Sequence, residues 1–233
     1  MNEKIITAEL AGKDSVAAII KYAKENPGSL IQPIIIHVPP EENIGKEMVE
    51  YSVKLEKYIK ENTESACFSP PFGADVNTDW YYLNRPIQEL QERYGFYSPC
   101  IACHGLVHAI RIPVTQLWSG KIITGERLSH NGKIKINQNT IVLDAYDKLF
   151  AKHGIEVIRP LEGIDNTDII DDIVKDFHSK YGLHDFEFAK CYMSGNCKVK
   201  TEEDLKKYRI KEYCEEYLLP GLDKIILEKQ DEI

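Results

Sequence analysis

The chain has 233 residues, 43% of them hydrophobic and 28% charged, with a formal net charge of −8. That length suits one globular domain with a core of its own, and that charge excludes a uniformly basic nucleic-acid surface while leaving room for a local basic groove. No apolar run reaches bilayer-spanning length and MNEKIITAEL lacks the design of a signal peptide, so the expectation is a cytoplasmic protein whose six cysteines serve a metal, a cluster or catalysis rather than disulfides.

In chain order, residues 5–10 form a short apolar run, and 15–24 carry Val16, Ile19, Ile20 and Ala23 at helical spacing. LIQPIIIHV (30–38) reads as a strand closed by Pro39 and Pro40, 44–60 as a helix, and 65–68 as a short third strand. SPPFGADVNTDW (69–80) carries prolines, glycine and Asn/Asp and reads as a long loop. Residues 86–94 and 100–112 look helical, KIITG (121–125) is a strand, 139–153 a helix and IEVIRPL (155–161) another strand. The alternation closes with a helix over 166–181, for which Asn166 or Thr167 is the N-cap. Strands alternating with helices predict an α/β fold, Rossmann-like, with about five parallel strands and helices on both faces. The division expected is a core over 1–181 and a small carboxyl-terminal, cysteine-containing extension over 182–233.

Between the first strand and first helix stands AGKDS (11–15). In such folds ligands bind beyond the carboxyl ends of the strands, where unpaired amides and the helix dipole favour a phosphate. Gly12 permits close approach and positive φ, Lys13 adds a cation, Asp14 suits Mg²⁺, and Ser15 can cap the helix or bond a phosphate. On these residues alone a plain helix cap competes equally. The pattern is neither G-x-x-x-x-G-K-[ST] nor G-x-G-x-x-G.

In that position AGKDS resembles the SGGxDS signature of the PP-loop ATP pyrophosphatases, adenine nucleotide alpha-hydrolase-like enzymes that include tRNA-thiolation sulfurtransferases. Gly12, Lys13, Asp14 and Ser15 match, while Leu10 and Ala11 stand where serine and the first glycine are usual. Thr124 and Gly125 match the family's later Thr-Gly-His-like turn, with Glu126 where histidine is common. His130-Asn131-Gly132 beside it also reads as a tight hairpin turn. The resemblance implies a HUP-type domain that binds ATP and Mg²⁺ over Ala11–Ser15, Thr124 and Gly125. A substrate oxygen attacks the α-phosphate, pyrophosphate leaves, and a nucleophile, often sulfur, displaces AMP. It places His37, at the end of the second strand, near the adenosine half.

YSPCIACHGLVHAIRIP (97–113) sets Cys100 and Cys103 two residues apart on a helix, with His104 and His108 following. Such a pair suits a tetrahedral metal or an iron–sulfur cluster, and Cys191 and Cys197 form a second pair. Zn²⁺ on four cysteines and a [4Fe-4S] cluster on three both stay open. The resemblance adds that some PP-loop sulfurtransferases hold a cluster on three cysteines and leave one iron open to sulfur. Haem attachment, a thioredoxin-like pair and a sulfate-nucleotide reductase are the weaker alternatives, and Cys67 and Cys214 read as buried thiols. Lys13, Asp14, Cys100 and Cys197 are the candidate catalytic residues.

Arg111, Arg127, Lys133, Lys135, Lys198 and Lys200 are the candidates for a basic surface that would take RNA, and the aromatic stretch 80–97 could stack a base or simply pack. The acceptor expected is therefore a tRNA or a small molecule, served by a sulfur donor, with no membrane partner and with a homodimer open. The competing reading is a nucleotide- or metal-binding regulator without catalysis.

Overall fold

The computed structural model describes residues 5–39, 45–188, 191, 199–200, 202–206 and 208–231. The elements run β1 (Ile6–Glu9), α1 (Lys13–Glu25), β2 (Leu30–His37), α2 (Gly45–Asn62), β3 (Ala66–Cys67), β4 (Phe72–Asp75), α3 (Asn77–Asn84), α4 (Ile87–Tyr94) and α5 (Pro99–Gln116). There follow β5 (Lys121–Ile123), β6 (Ile134–Lys135), α6 (Thr140–Lys152), β7 (Glu156–Ile158), α7 (Thr167–Tyr181), β8 (Val199–Lys200) and α8 (Glu202–Leu205). Last comes α9 (Ile210–Tyr213), which passes through a π-helical segment, Cys214–Leu218, into α10 (Leu219–Gln230).

The main sheet is parallel, in the order β3-β2-β1-β5-β7, with β4 also on β2. This is the α/β, Rossmann-like arrangement the alternation predicts. β2 is almost wholly apolar, as befits a strand covered on both faces. Its Pro33 explains why one edge neighbour comes in two pieces. β3 pairs with Leu30 and Ile31, and β4 with Ile34 to His37. Ile31 O accepts from Phe68 on that side, whereas Ile34 O accepts from Leu10 on the β1 side. Alternation turns the missing N–H of Pro33 toward the β3/β4 edge, at the break between those strands.

The expected loop over 69–80 is therefore corrected: it holds β4 and the start of α3. Glycine and proline punctuation outweighed the strand signal in Phe72–Asp75, which forms because β2 offers a free edge there.

Helices cover both faces. α1, α2 and α7 pack over one face around Val16, Ile19, Ile20, Leu55, Ile170 and Phe177. α5 lies over the other, and α3, α4, α6 and the carboxyl-terminal helices close over it through Leu83, Leu90, Tyr146, Tyr213, Leu218, Leu222 and Ile226. Asn166 caps α7, accepting from Asp168 N at 2.8 Å, and Asn131 (φ 52) and Gly132 (φ 76) make the tight turn between bridge partners His130 and Lys133. Trp80, Tyr94 and Phe96 are core residues, while Tyr81 and Tyr82 are exposed. No helix among the described residues is long and apolar enough to cross a membrane.

Candidate functional site: a cleft at the switch between β1 and β5

From β1 the chain moves outward through β2 to β3 and β4, then returns to place β5 on the other side of β1. This reversal opens a crevice beyond the carboxyl ends of β1 and β5, the place where open α/β sheets bind ligands. A cleft of about 400 Å³ occupies it, lined by Glu9, Ala11–Ser15, His104, Gly125, Glu126, Lys135 and Gln138. Of the expected nucleotide-binding residues, the structure thus brings together Ala11, Gly12, Lys13, Asp14, Ser15 and Gly125. Thr124 lies buried directly beneath, donating to Glu126. His37 ends β2 but does not line this cleft. A larger depression of about 690 Å³ runs beside it along α7, sharing Lys13 as a wall.

The turn before α1 is ordered by its own serine. Ser15 Oγ accepts from Ala11 N and Gly12 N, both at 3.0 Å, and donates to Gly12 O at 2.7 Å. Val16 N closes the first helical bond to Gly12 O, so the amides of Lys13, Asp14 and Ser15 are the first-turn donors left without an intrahelical partner. Gly12 has φ −158°, extended backbone open to any residue, rather than the positive φ expected of it. A Cβ there would meet nothing within 4 Å. Gly125 is the opposite case. A Cβ on it would stand 2.6 Å from Ser15 N, 2.7 Å from Ser15 Cα and 2.9 Å from Asp14 C, so the β5 turn presses directly against the head of α1.

The charges around this turn are mostly committed. Lys13 ion-pairs with Asp171 on α7. Asp14 Oδ2 accepts from Arg127 Nε at 3.3 Å, and Arg127 also donates to Ile164 O, Asp165 O and His130 Nδ1 at 3.2, 3.3 and 2.6 Å. Arg127 and Arg111 are therefore buried groups of the interior, which corrects their expected place on a basic RNA surface. Arg111 Nη1 lies 3.7 Å from Glu9 Oε1. Lys133 is exposed, and Lys198 lies outside the described residues.

Behind Gly125 sits a buried ionic group that sequence spacing does not reveal. Glu126 meets His108 Nε2 through one oxygen and Thr124 Oγ1 and Arg159 Nε (3.3 Å) through the other, and Arg159 reaches on to Asp147 at 2.7 Å. Burial raises the Glu126 carboxyl, but His108, Arg159 and Thr124 outweigh it and hold it below the usual carboxylate range. Burial first, then the neighbouring His108, push His104 down to about 3. A histidine so depressed contributes stability that is intact above its unfolded value of 6.5 and is lost as pH falls toward 3, because the unfolded chain takes the proton the folded one refuses. Urea midpoints are therefore expected to fall from neutral pH to about pH 4 in the native protein, and a His104→Gln variant should show a shallower fall.

The cysteines divide as follows. Cys67 and Cys214 are buried free thiols, each pushed up to about 12 chiefly by burial, which fits inert core positions. Pro99 opens α5, so Cys100 and Cys103 occupy its first turns, one turn apart on the same side. Cys100 is buried and joined in a disulfide; Cys103 and Cys191 are partly buried. Cys197 lies outside the described residues, two positions before Val199, whose strand pairs antiparallel with Lys135 of the cleft wall. Among the described residues no group of three or more His, Cys, Asp or Glu is arranged to hold a metal ion. The donor chemistry fits a thiolate-bound group only in the reduced chain: the disulfide puts a second sulfur against Cys100, and Cys103 stands one helical turn on.

No family model matches the chain. The uncharacterized protein MJ0009 of Methanocaldococcus jannaschii is 31% identical over 233 residues, covering 97% of this chain and 80% of that protein. The chain belongs to the MJ0009 family. A solved structure, the U34-tRNA thiolase NcsA from Methanococcus maripaludis with its [4Fe-4S] cluster, aligns over 97% of this chain and 73% of that one at 17% identity and a TM-score of 0.43. A likeness that faint carries no weight for site or activity. For this MJ0009-family member the site rests on its own geometry.

Proposed function

We propose that the cleft binds ATP with Mg²⁺ and that the protein adenylates an acceptor, with release of pyrophosphate, as the activating step of a sulfur transfer. One observation carries this reading. His104, the residue after Cys103, lines the same cleft as Gly12–Ser15, so two motifs nearly ninety residues apart meet at one place.

In the reaction an acceptor oxygen bonds to the α-phosphorus, the bond to the oxygen bridging to the β-phosphate breaks, and pyrophosphate leaves with that electron pair. A sulfur nucleophile then attacks the activated carbon of the acceptor and expels AMP. The chain must neutralise growing negative charge on the phosphates. The Lys13 and Asp14 amides point to the helix N-terminus for that purpose, and Lys13 can exchange Asp171 for phosphate. Asp14, one oxygen held by Arg127, is the ligand proposed for Mg²⁺. Cys100, Cys103 and Cys197, with Cys191, would hold a [4Fe-4S] cluster or Zn²⁺ once reduced. A cluster held by three thiolates supplies an open iron position for sulfur, whereas zinc supplies a clamp.

The test is anaerobic purification with analysis for iron, zinc and sulfide, followed by pyrophosphate assays with ATP and either bulk tRNA or small carbonyl acceptors. The expected result is bound metal that disappears in Cys100→Ser, and acceptor-dependent pyrophosphate that falls at least about a hundredfold in Asp14→Asn. Metal content unchanged in Cys100→Ser would reject the ligand set. ATP bound without pyrophosphate from any acceptor would instead mark a nucleotide-binding regulator.

A further inference from the structure

With Lys13 turned away onto Asp171, the cleft holds another lysine. Lys135 lies on β6, where Ile134 and Ile136 pack into the core on one side and Lys135, at the intervening position, lines the same cleft as the α1 turn. It is half-buried, and among the described residues its side-chain amine makes neither a hydrogen bond nor an ion pair, while its carbonyl accepts from Gln138 N at 3.1 Å. The charged groups around it come from four parts of the chain. Asp14 favours its charge and Arg127 opposes it, while Lys135 itself helps to depress His104 on α5 and His130 in the hairpin turn. Burial is the largest influence and lowers its amine from the usual value. An ammonium held half out of water, with no carboxylate paired to it among the described residues and an open cleft before it, is poised for an anion from outside the chain.

We infer that Lys135 contacts the phosphates of the bound nucleotide and is the principal phosphate-binding lysine of this site, ahead of Lys13. The inference rests on the nucleotide reading above and deepens it. Its chemistry follows from placement. β6 brings Lys135 to the cleft that Lys13 and Asp14 also line, close enough to feel the Asp14 charge, so a phosphate on the helix amides can meet a cation as well, and charge builds on it against donors rather than against water. Lys13, by contrast, must first give up Asp171.

Calorimetric titration of the native protein, Lys135→Gln and Lys13→Gln with ATP and with adenosine separates the outcomes. Lys135→Gln should weaken ATP by at least about tenfold, the scale of one charge-assisted bond, and leave adenosine unchanged, since adenosine has no phosphate to lose. Lys13→Gln should weaken ATP by less, and Lys135→Arg should recover most of the loss. A native-protein measurement guards against misfolded variants: mass spectrometry after amine acetylation should find Lys135 shielded by ATP but not by adenosine. ATP binding unchanged in Lys135→Gln, equal weakening of ATP and adenosine, or Lys135 acetylated equally with and without ATP would overturn the assignment. If the native protein bound no ATP, the nucleotide reading would fall together with it.

Discussion

Replacing Gly125 by alanine is expected to damage the protein more than any other single methyl group. The added Cβ would stand 2.6 to 2.9 Å from backbone atoms of Asp14 and Ser15, and a backbone cannot swing aside as a side-chain end can. Either the β5 turn or the first turn of α1 must retreat, and both are pinned. Thr124 N donates to Ile158 O at 3.0 Å on one side, and Ser15 Oγ ties down Ala11 and Gly12 on the other. Overpacking of this kind costs about 1–3 kcal/mol, to be read as a lowered urea midpoint with an unchanged slope. The ATP affinity proposed for the cleft should fall as well, because the retreat opens it. Gly12→Ala is the contrasting variant, since its Cβ enters open space. It should leave stability within about 0.5 kcal/mol and weaken only the binding of a ligand that comes close to the turn. If Gly125→Ala unfolds at the native midpoint, the close packing of the two turns is wrong.

These two glycines show which parts of the site could be read from the chain. The AGKDS turn announces itself because a short, small-residue break separates an apolar run from a helical period, and the fold then fixes where such a break must lie. TG after KII (121–123) is legible for the same reason. Local pattern also gave the Asn166 cap and the Asn131-Gly132 turn. What stayed hidden depends on contacts between distant segments. Arg111 and Arg127 look like surface arginines, since nothing local says that Glu9 and Asp14 will meet them inside. Lys135 reads as one more basic residue until the alternation of Ile134 and Ile136 is set against the core. The two pieces of edge strand beside Pro33 follow from pairing with β2, which the glycines and prolines around Phe72 conceal. The carboxyl-terminal helices read as an appendage by composition, and the structure shows them supplying Leu218, Leu222 and Ile226 to the core over α5.

The ionic group under Gly125 is the clearest of these hidden features, and it yields the second large expected effect. Glu126 and His108 are 2% and 1% exposed as side chains, so neither can turn to water if its partner is removed. In Glu126→Ala, His108 and Arg159 lose their shared carboxylate, and breaking a buried pair by deleting one member costs about 3–5 kcal/mol. Arg159 retains Asp147 at 2.7 Å, which sets the loss toward the lower part of that range. Removing both ends of the pair is a different experiment. Glu126→Ala with His108→Leu leaves no stranded charge between them, and it should recover a large part of the stability lost in Glu126→Ala, measured as a coupling energy in the cycle closed by His108→Leu alone. The pH dependence gives an independent check. Because the carboxyl of Glu126 is held below its usual 4.5, its contribution is complete above that pH and drains away as the solution is acidified below it. Glu126→Gln cannot titrate there, so the gap between native and variant midpoints should shrink as pH drops beneath about 4.5. A gap that stays constant, or a double variant no more stable than Glu126→Ala, would mean that Glu126 supports the cleft by shape and not by charge.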